Sequence, residues 1–265
     1  MAKYDSEPFQ QSVSNAITFF AVGCTFISLY NTIELNIITL STFKNWKGLY
    51  FWSLLTAANG IALHSIGYAL PNFFSVKNPA IFIPFVAVGW GSMVIGQSLV
   101  LFSRLHLLGH HFSRLKPLLA FIVINGAGFE LVMIVFLAIG TSWQDKARWG
   151  PIIATFEKVE VTVFFLQEIG LSALYIKACF SIFNVNGVRG GTSQTMRQHL
   201  LWVNVFVVLI SLTVLLLQYF DLFTLQIAYK SFAYSVKLKA EIWILSKLVD
   251  IYRPKSSGSN VSNSQ

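Results

Sequence analysis

The chain has 265 residues, of which 55% are hydrophobic and only 11% charged, and its formal net charge is +8. A soluble domain carries about 25% charged residues, so this composition excludes an ordinary soluble protein. The positive charge does not indicate nucleic-acid binding, because Lys and Arg recur at the ends of apolar runs instead of forming one patch. We therefore expect an all-α membrane protein whose main solvent is the lipid bilayer and which has no nucleic-acid partner.

Seven apolar runs are each long enough to cross a hydrocarbon core of about 30 Å as an α-helix. In chain order they cover Ser14–Ser41, Leu49–Leu70, Ala80–Leu105, Leu118–Gly140, Ile152–Phe183, His199–Phe220 and Phe223–Val249. Pro117 and Pro151 precede the fourth and fifth runs, as expected at helix starts, where a missing N–H costs nothing. We expect a seven-helix transmembrane domain over residues 14–250, a short extracellular or luminal segment at 1–13, and a disordered cytosolic tail at 251–265.

The orientation is predicted from Lys and Arg, which accumulate on the cytosolic side of membrane proteins. Eleven of them flank one set of connections and four flank the other. The larger set is Lys44, Lys47, Arg104, Arg114, Lys116, Lys177, Arg189, Arg197, Lys247, Arg253 and Lys255, and the smaller set is Lys3, Lys77, Lys146 and Arg148. The counts predict an N-terminus outside and a C-terminus in the cytosol, in a multi-pass protein of the plasma membrane or an endomembrane.

Two of the predicted spans carry stripes of charge, which is costly in a bilayer and normally faces the bundle interior. The stripes are Glu157, Glu160 and Glu168 on span 5, and Lys230, Lys237 and Glu241 on span 7. At 100° per residue, each set falls on one side of its helix. The two helices can therefore face each other with stripes of opposite sign.

We expect these stripes to belong to one buried polar network that links spans 1, 3, 4, 5 and 7. Its members, which are also the candidate ligand-binding residues, are Glu34, Gln97, Glu130, Glu160, Glu168, Lys237 and Glu241. Lys237 is expected within hydrogen-bond reach of a facing acid, in the first place Glu168. Two interpretations stay open: the charges only fix helix packing, or they serve a ligand, proton or substrate site. Catalytic residues stay unassigned.

No cofactor or metal is expected. The H-x-x-x-H-H pattern of His106, His110 and His111 is typical of one histidine box of membrane di-iron enzymes, but those need several boxes and this chain has five histidines in all. A lysine in the last span would suit a retinal Schiff base, which needs a carboxylate counter-ion. Span 3 has no acid between Ala80 and Ser103, so retinal is not expected.

Three stretches, Gly48–Leu55, Gly96–Leu107 and Tyr234–Val249, carry a resemblance that extends from Asn31 to Val249. There the chain resembles a fungal family of seven-span integral membrane proteins of unknown function. Its architecture is also similar to that of the fungal membrane-bound terpene cyclases, which protonate their substrates with buried carboxylic acids. The Trp-Glu motif that those cyclases carry in an early span is absent here, so the similarity concerns architecture alone.

Three classes of function follow as expectations. The first is a membrane protein that binds or senses a small apolar ligand within the bundle, as an accessory component of fungal secondary metabolism. The second is a membrane-bound, cyclase-like enzyme that uses a buried carboxylate for acid catalysis. The third is a small-molecule transporter. The sequence leaves open whether the chain is an enzyme, and it indicates no protein partner.

Overall fold

The computed structural model describes residues 6–43, 46, 48–107, 112–142, 146–185, 191–220 and 223–252. Over these ranges the chain is an all-α bundle without β-strands. The helices are α1 (Ser6–Thr42), α2 (Leu49–Phe73), α3 (Pro79–Leu107), α4 (Phe112–Ser142), α5 (Lys146–Val185), α6 (Gly191–Tyr219) and α7 (Phe223–Tyr252). Each predicted apolar run corresponds to one of these seven helices.

The interpretation of two prolines as helix starts is wrong. α4 begins at Phe112 and α5 at Lys146, so Pro117 and Pro151 each lie five residues inside their helices. A proline at this position deprives the preceding turn of one backbone N–H donor. The helices begin earlier because polar and basic residues ahead of the apolar runs continue the helical conformation.

The order of the helices places α3 and α7 at the centre of the bundle. Helices consecutive in the chain are neighbours, and α7 packs against α1. α3 contacts α2, α4, α5 and α7, whereas α7 contacts α1, α2, α3 and α6. No described Cα atom of α5 comes within 8 Å of one of α7, so the space between these two helices is bridged by side chains.

Glycines draw α2 and α3 into the closest packing in the bundle. Gly60 and Gly67 on α2, like Gly89 and Gly96 on α3, are seven residues apart and face the opposite helix. A Cβ atom on Gly60 would lie 2.6 Å from the backbone nitrogen of Met93, and one on Gly96 would lie 2.8 Å from backbone atoms of α2. Small residues at such interfaces let membrane helices gain van der Waals contact along their backbones. We call this contact the glycine seam.

Five helices, α1, α3, α4, α5 and α6, contain apolar windows long enough to cross a membrane, which identifies a membrane protein. α2 carries Asn59 and His64, and α7 carries several charges, so neither reaches the same hydropathy. Both are interior helices with largely buried polar groups. α4 is the opposite case: only 11% of the residues in its apolar window are buried. Hydropathy is therefore highest where the bundle is most exposed.

Candidate functional site

Two ion pairs cross the space between α5 and α7. Lys230 Nζ lies 2.6 Å from Glu157 Oε1, and Lys237 Nζ lies 2.9 Å from Glu168 Oε2. The lysine side chains are only 2% and 1% exposed. The facing of the two charged stripes and the Lys237–Glu168 contact are therefore as predicted. Because charged side chains bridge the two helices, the bundle interior between α5 and α7 is polar.

The first of these pairs belongs to a cluster that we call the cavity floor, composed of His64, Trp90, Glu157, Glu160 and Lys230. The Lys230 ammonium lies 4.6 Å from the centroid of the Trp90 ring, within the range of a cation–π contact. Trp90 Nε1 donates a hydrogen bond of 2.8 Å to Glu160 Oε1. His64 Nδ1 lies 2.7 Å from the hydroxyl oxygen of a serine on α7. Four helices thus contribute to one fixed polar surface.

An apolar cavity lies against this floor. It has two adjoining parts, of about 120 Å³ and about 300 Å³, which share Val86, Leu137 and Ile227 as wall residues. The smaller part ends at His64, Trp90, Glu157 and Lys230, and the larger part is lined by Gly67, Tyr68, Pro71, Asn72, Phe82 and Ile83. Ligand pockets in proteins occupy about 300–1,000 Å³ and combine apolar walls with a few polar groups. This cavity fits that description.

Glu130 lies beside the cavity floor and presses its carboxylate against α3. A Cβ atom at Gly91 would lie 2.6 Å from the carboxyl carbon of Glu130, so the carboxylate occupies the space that a larger residue at position 91 would take. Neither carboxyl oxygen of Glu130, nor Oε2 of Glu160, has a hydrogen-bond partner among the described residues. Glu130 and Glu160 are close enough to interact electrostatically. Buried carboxyl oxygens of this kind need a proton, a water or a ligand as partner.

A second cluster, the central pair, lies deeper along α7. Ser211 Oγ on α6 donates a 2.8 Å hydrogen bond to Glu168 Oε1, while Lys237 holds the other oxygen. The Lys237 ammonium also lies 4.1 Å from the ring centroid of Tyr234. Gln97 of α3 is 3% exposed, and its amide has no hydrogen-bond partner in the described part of the chain.

The third cluster, the end pair, joins Arg104 to Glu241. Their side chains are 1% and 0% exposed and form an ion pair, and Arg104 Nη2 also donates a 2.9 Å hydrogen bond to the Glu241 carbonyl oxygen. The guanidinium carbon lies 5.7 Å from the Tyr175 ring centroid. The assignment of Arg104 to a cytosolic connection is therefore wrong, because its charge is neutralised inside the bundle. Ten basic residues against four remain for the orientation.

The structure thus separates the predicted network into parts. Glu160 and Glu130 lie at or beside the cavity floor, Glu168 and Lys237 form the central pair, and Glu241 belongs to the end pair. Glu34 belongs to none of the three, since it pairs with Lys239 at 2.6 Å on a face where both side chains are more than 30% exposed. The inclusion of Glu34 in the buried network is therefore wrong, whereas the other predicted members lie in or beside the three clusters. The separation follows from helix rotation, which turns Glu34 away from the interior.

Trp90, Arg104 and Ser211 are site residues that the sequence analysis did not select. Only Arg104 had a visible signal, as a basic residue seven positions after Gln97 on the same helix. In the predicted histidine pattern, His106 is exposed near the end of α3, and His110 and His111 lie outside the described residues. Over the described ranges no group of three or more His, Cys, Asp and Glu is arranged to hold a metal.

Comparison with known proteins adds a family. The model of a domain of unknown function (DUF7703) matches residues 9–261. The chain belongs to this family. The match includes all three clusters and the cavity, so the site lies within the region that the family model covers. No curated protein matches the chain. The resemblance to a family of unknown function is confirmed.

Proposed function

We propose that all seven helices cross the membrane, with the N-terminus outside and the C-terminus in the cytosol. α2 and α7 have the length of a membrane span, and they lie among the five more apolar helices. His64 of α2 and Lys230, Lys237 and Glu241 of α7 are buried in the bundle, which removes the usual objection to a charged span. The remaining excess of Lys and Arg on one side supports the orientation.

We propose further that the protein binds a small lipophilic ligand that ends in a neutral polar group. The observation that carries this proposal is the apolar cavity with a polar floor. Lys230 and His64 line its deep part and supply N–H groups. The charge of Lys230 is already balanced by Glu157, and Glu160 lies close behind, so a carboxylate ligand would meet net negative charge. A hydroxyl or carbonyl group meets the donors without that repulsion.

This binding suits a sensor or an accessory protein. We propose a role in fungal secondary metabolism because the architecture is similar to that of the fungal membrane-bound terpene cyclases. Isoprenoid alcohols combine an apolar body with one hydroxyl group and match the chemistry of the cavity. The bilayer supplies such ligands, because they partition into it. In this proposal the partners of the protein are lipid and the ligand.

The test is thermal unfolding of the purified protein in detergent with farnesol, an isoprenoid alcohol. A ligand that binds only the folded state stabilises it by RT ln(1 + [L]/Kd), or about 2.7 kcal/mol at a hundredfold excess over Kd. We expect farnesol to raise the melting temperature and farnesoic acid to raise it less. Leu137→Trp, which fills the shared wall of the cavity, should abolish the effect.

Ile134→Trp is the matched control, since Ile134 lies on the same helix but is 41% exposed. It should leave stabilisation by farnesol unchanged. Equal stabilisation of both variants would show that farnesol acts through the micelle. No stabilisation of the wild type by farnesol would contradict binding of this ligand class.

A second function, acid catalysis on a bound isoprenoid, is favoured by the unpartnered carboxyl oxygens of Glu130 and Glu160. A buried carboxylic acid that keeps its proton is the group such a reaction needs. Incubation of the protein with an epoxidised isoprenoid, followed by product analysis, tests it. Catalysis requires cyclised product from the wild type and none from Glu160→Gln with the fold intact.

A further inference from the structure

We propose that a hydrated proton path runs between α3, α5 and α7, from the cavity floor through the central pair to the end pair. This proposal rests on side chains of the bundle interior and does not depend on the ligand proposed above. The three helices run in the same direction, because they are the third, fifth and seventh of an antiparallel series. Two residues that lie at the same depth in two of these helices are therefore separated by a nearly constant number of positions in the sequence.

The α3 side of the path is a stripe at seven-residue spacing. Trp90, Gln97 and Arg104 are each about two helical turns apart, so they share one face and extend over about 21 Å. Trp90 contacts Glu160, whereas Arg104 contacts Tyr175. Gln97 lies midway between Trp90 and Arg104, so the constant spacing places it at the depth of the central pair. All three clusters thus lie along one axis.

Unpartnered polar atoms follow this axis. Gln97 Nε2 and Oε1, Glu160 Oε2 and the hydroxyl group of Ser172 are buried and have no hydrogen-bond partner in the described part of the chain. In folded proteins about 90% or more of buried polar groups are hydrogen-bonded, if not to protein then to ordered water. We infer that water completes these hydrogen bonds.

Carboxylates occur at intervals that suit proton transfer. Glu160 lies at the cavity floor, Glu168 in the middle and Glu241 at the far end. A hydronium ion gives its proton to the carboxylate, which breaks one O–H bond of the hydronium and forms one on the acid. The acid then gives this proton to the next water, which becomes hydronium, and the carboxylate is restored. The charged and titratable groups that face the axis are His64, Tyr50, Arg104, Glu130, Glu157, Tyr175, Lys230, Tyr234 and Lys237. The Arg104–Glu241 end pair is the last of these groups along the path.

The experiment is proton flux into liposomes that contain the full chain. Vesicles loaded with K⁺ and a pH-sensitive dye receive valinomycin, so that K⁺ efflux drives protons inwards. We expect the interior to acidify faster than in protein-free vesicles. Gln97→Leu should lower the protein-dependent flux at least tenfold, because it removes the amide that holds water at the middle of the path. Flux no greater than in protein-free vesicles, or Gln97→Leu as fast as the wild type, would overturn the proposal.

Gln167→Leu is the matched control. Gln167 is also a buried glutamine at the same depth, but its amide bonds Ser98 and Asn125, away from the axis. This variant should conduct like the wild type. Should Gln97→Leu fail to fold, as judged by size-exclusion chromatography, Gln97→Glu and Gln97→Met replace it. Gln97→Glu, whose carboxyl group can hold water, should keep the proton flux, and Gln97→Met, whose thioether cannot, should lower it. Equal proton flux through the two variants would overturn the proposal.

Discussion

Lys237→Met measures how strongly the central pair holds the bundle together. The substitution leaves Glu168, whose side chain is only 9% exposed, with the Ser211 hydroxyl as its remaining hydrogen-bond partner. Removing one member of a buried pair leaves an uncompensated charge and costs about 3–5 kcal/mol. We expect a melting temperature in detergent that is lower by roughly 10 °C. Replacing both residues, as Lys237→Met with Glu168→Gln, should recover much of this loss.

Lys239→Met is the internal control for this prediction. Lys239 lies two residues further on the same helix and also pairs with a glutamate, but its side chain is 33% exposed and that of Glu34 is 40% exposed. Exposed pairs contribute about 0–1 kcal/mol, so the melting temperature should hardly change. Equal melting temperatures for Lys237→Met and the wild type would refute our reasoning that the central pair is energetically buried.

Three further predictions concern packing, the end pair and orientation. Gly96→Ala should lower the thermal stability, because the new methyl group meets backbone across the glycine seam, whereas Gly170→Ala, with no atom within 4 Å of its Cβ position, should be neutral or stabilising by up to about 1 kcal/mol. Arg104→Met should reduce the folded yield on size-exclusion chromatography, and combining it with Glu241→Gln should restore that yield. Asn260 begins an N-glycosylation acceptor, and expression in a eukaryotic host should leave it without a glycan if the tail is cytosolic.

The helices and the facing of α5 towards α7 could be predicted because both depend on local periodicity. An apolar run of sufficient length has one stable conformation in lipid. Glutamates and lysines on single faces of two helices likewise have few arrangements other than mutual pairing. The Lys237–Glu168 contact could be predicted from these facing stripes, although no sequence motif links the two residues.

Other features depend on helix rotation and on packing, which the sequence does not encode locally. Arg104 near the end of an apolar run suits a membrane flank or an interior pair equally well, and only the position of α7 decides between them. Glu34 lies at the right depth but on the wrong face of α1. The cavity is the space that remains after α2 and α3 close on the glycine seam, so no single residue type marks it.

The distribution of charge between α5 and α7 has a consequence for biogenesis. A charged residue at the centre of an isolated helix raises the cost of membrane insertion by about 2.5–3.5 kcal/mol, and α7 carries Lys230, Lys237 and Glu241 in its interior. Their partners Glu157, Glu168 and Arg104 all lie on helices that are synthesised earlier. In the seven-span topology that we propose, the last helix therefore enters a membrane that already contains its counter-charges. The charges of α7 are then neutralised by these partners as the bundle is completed. A chain in which the partners are replaced should fail to insert α7 into the bilayer.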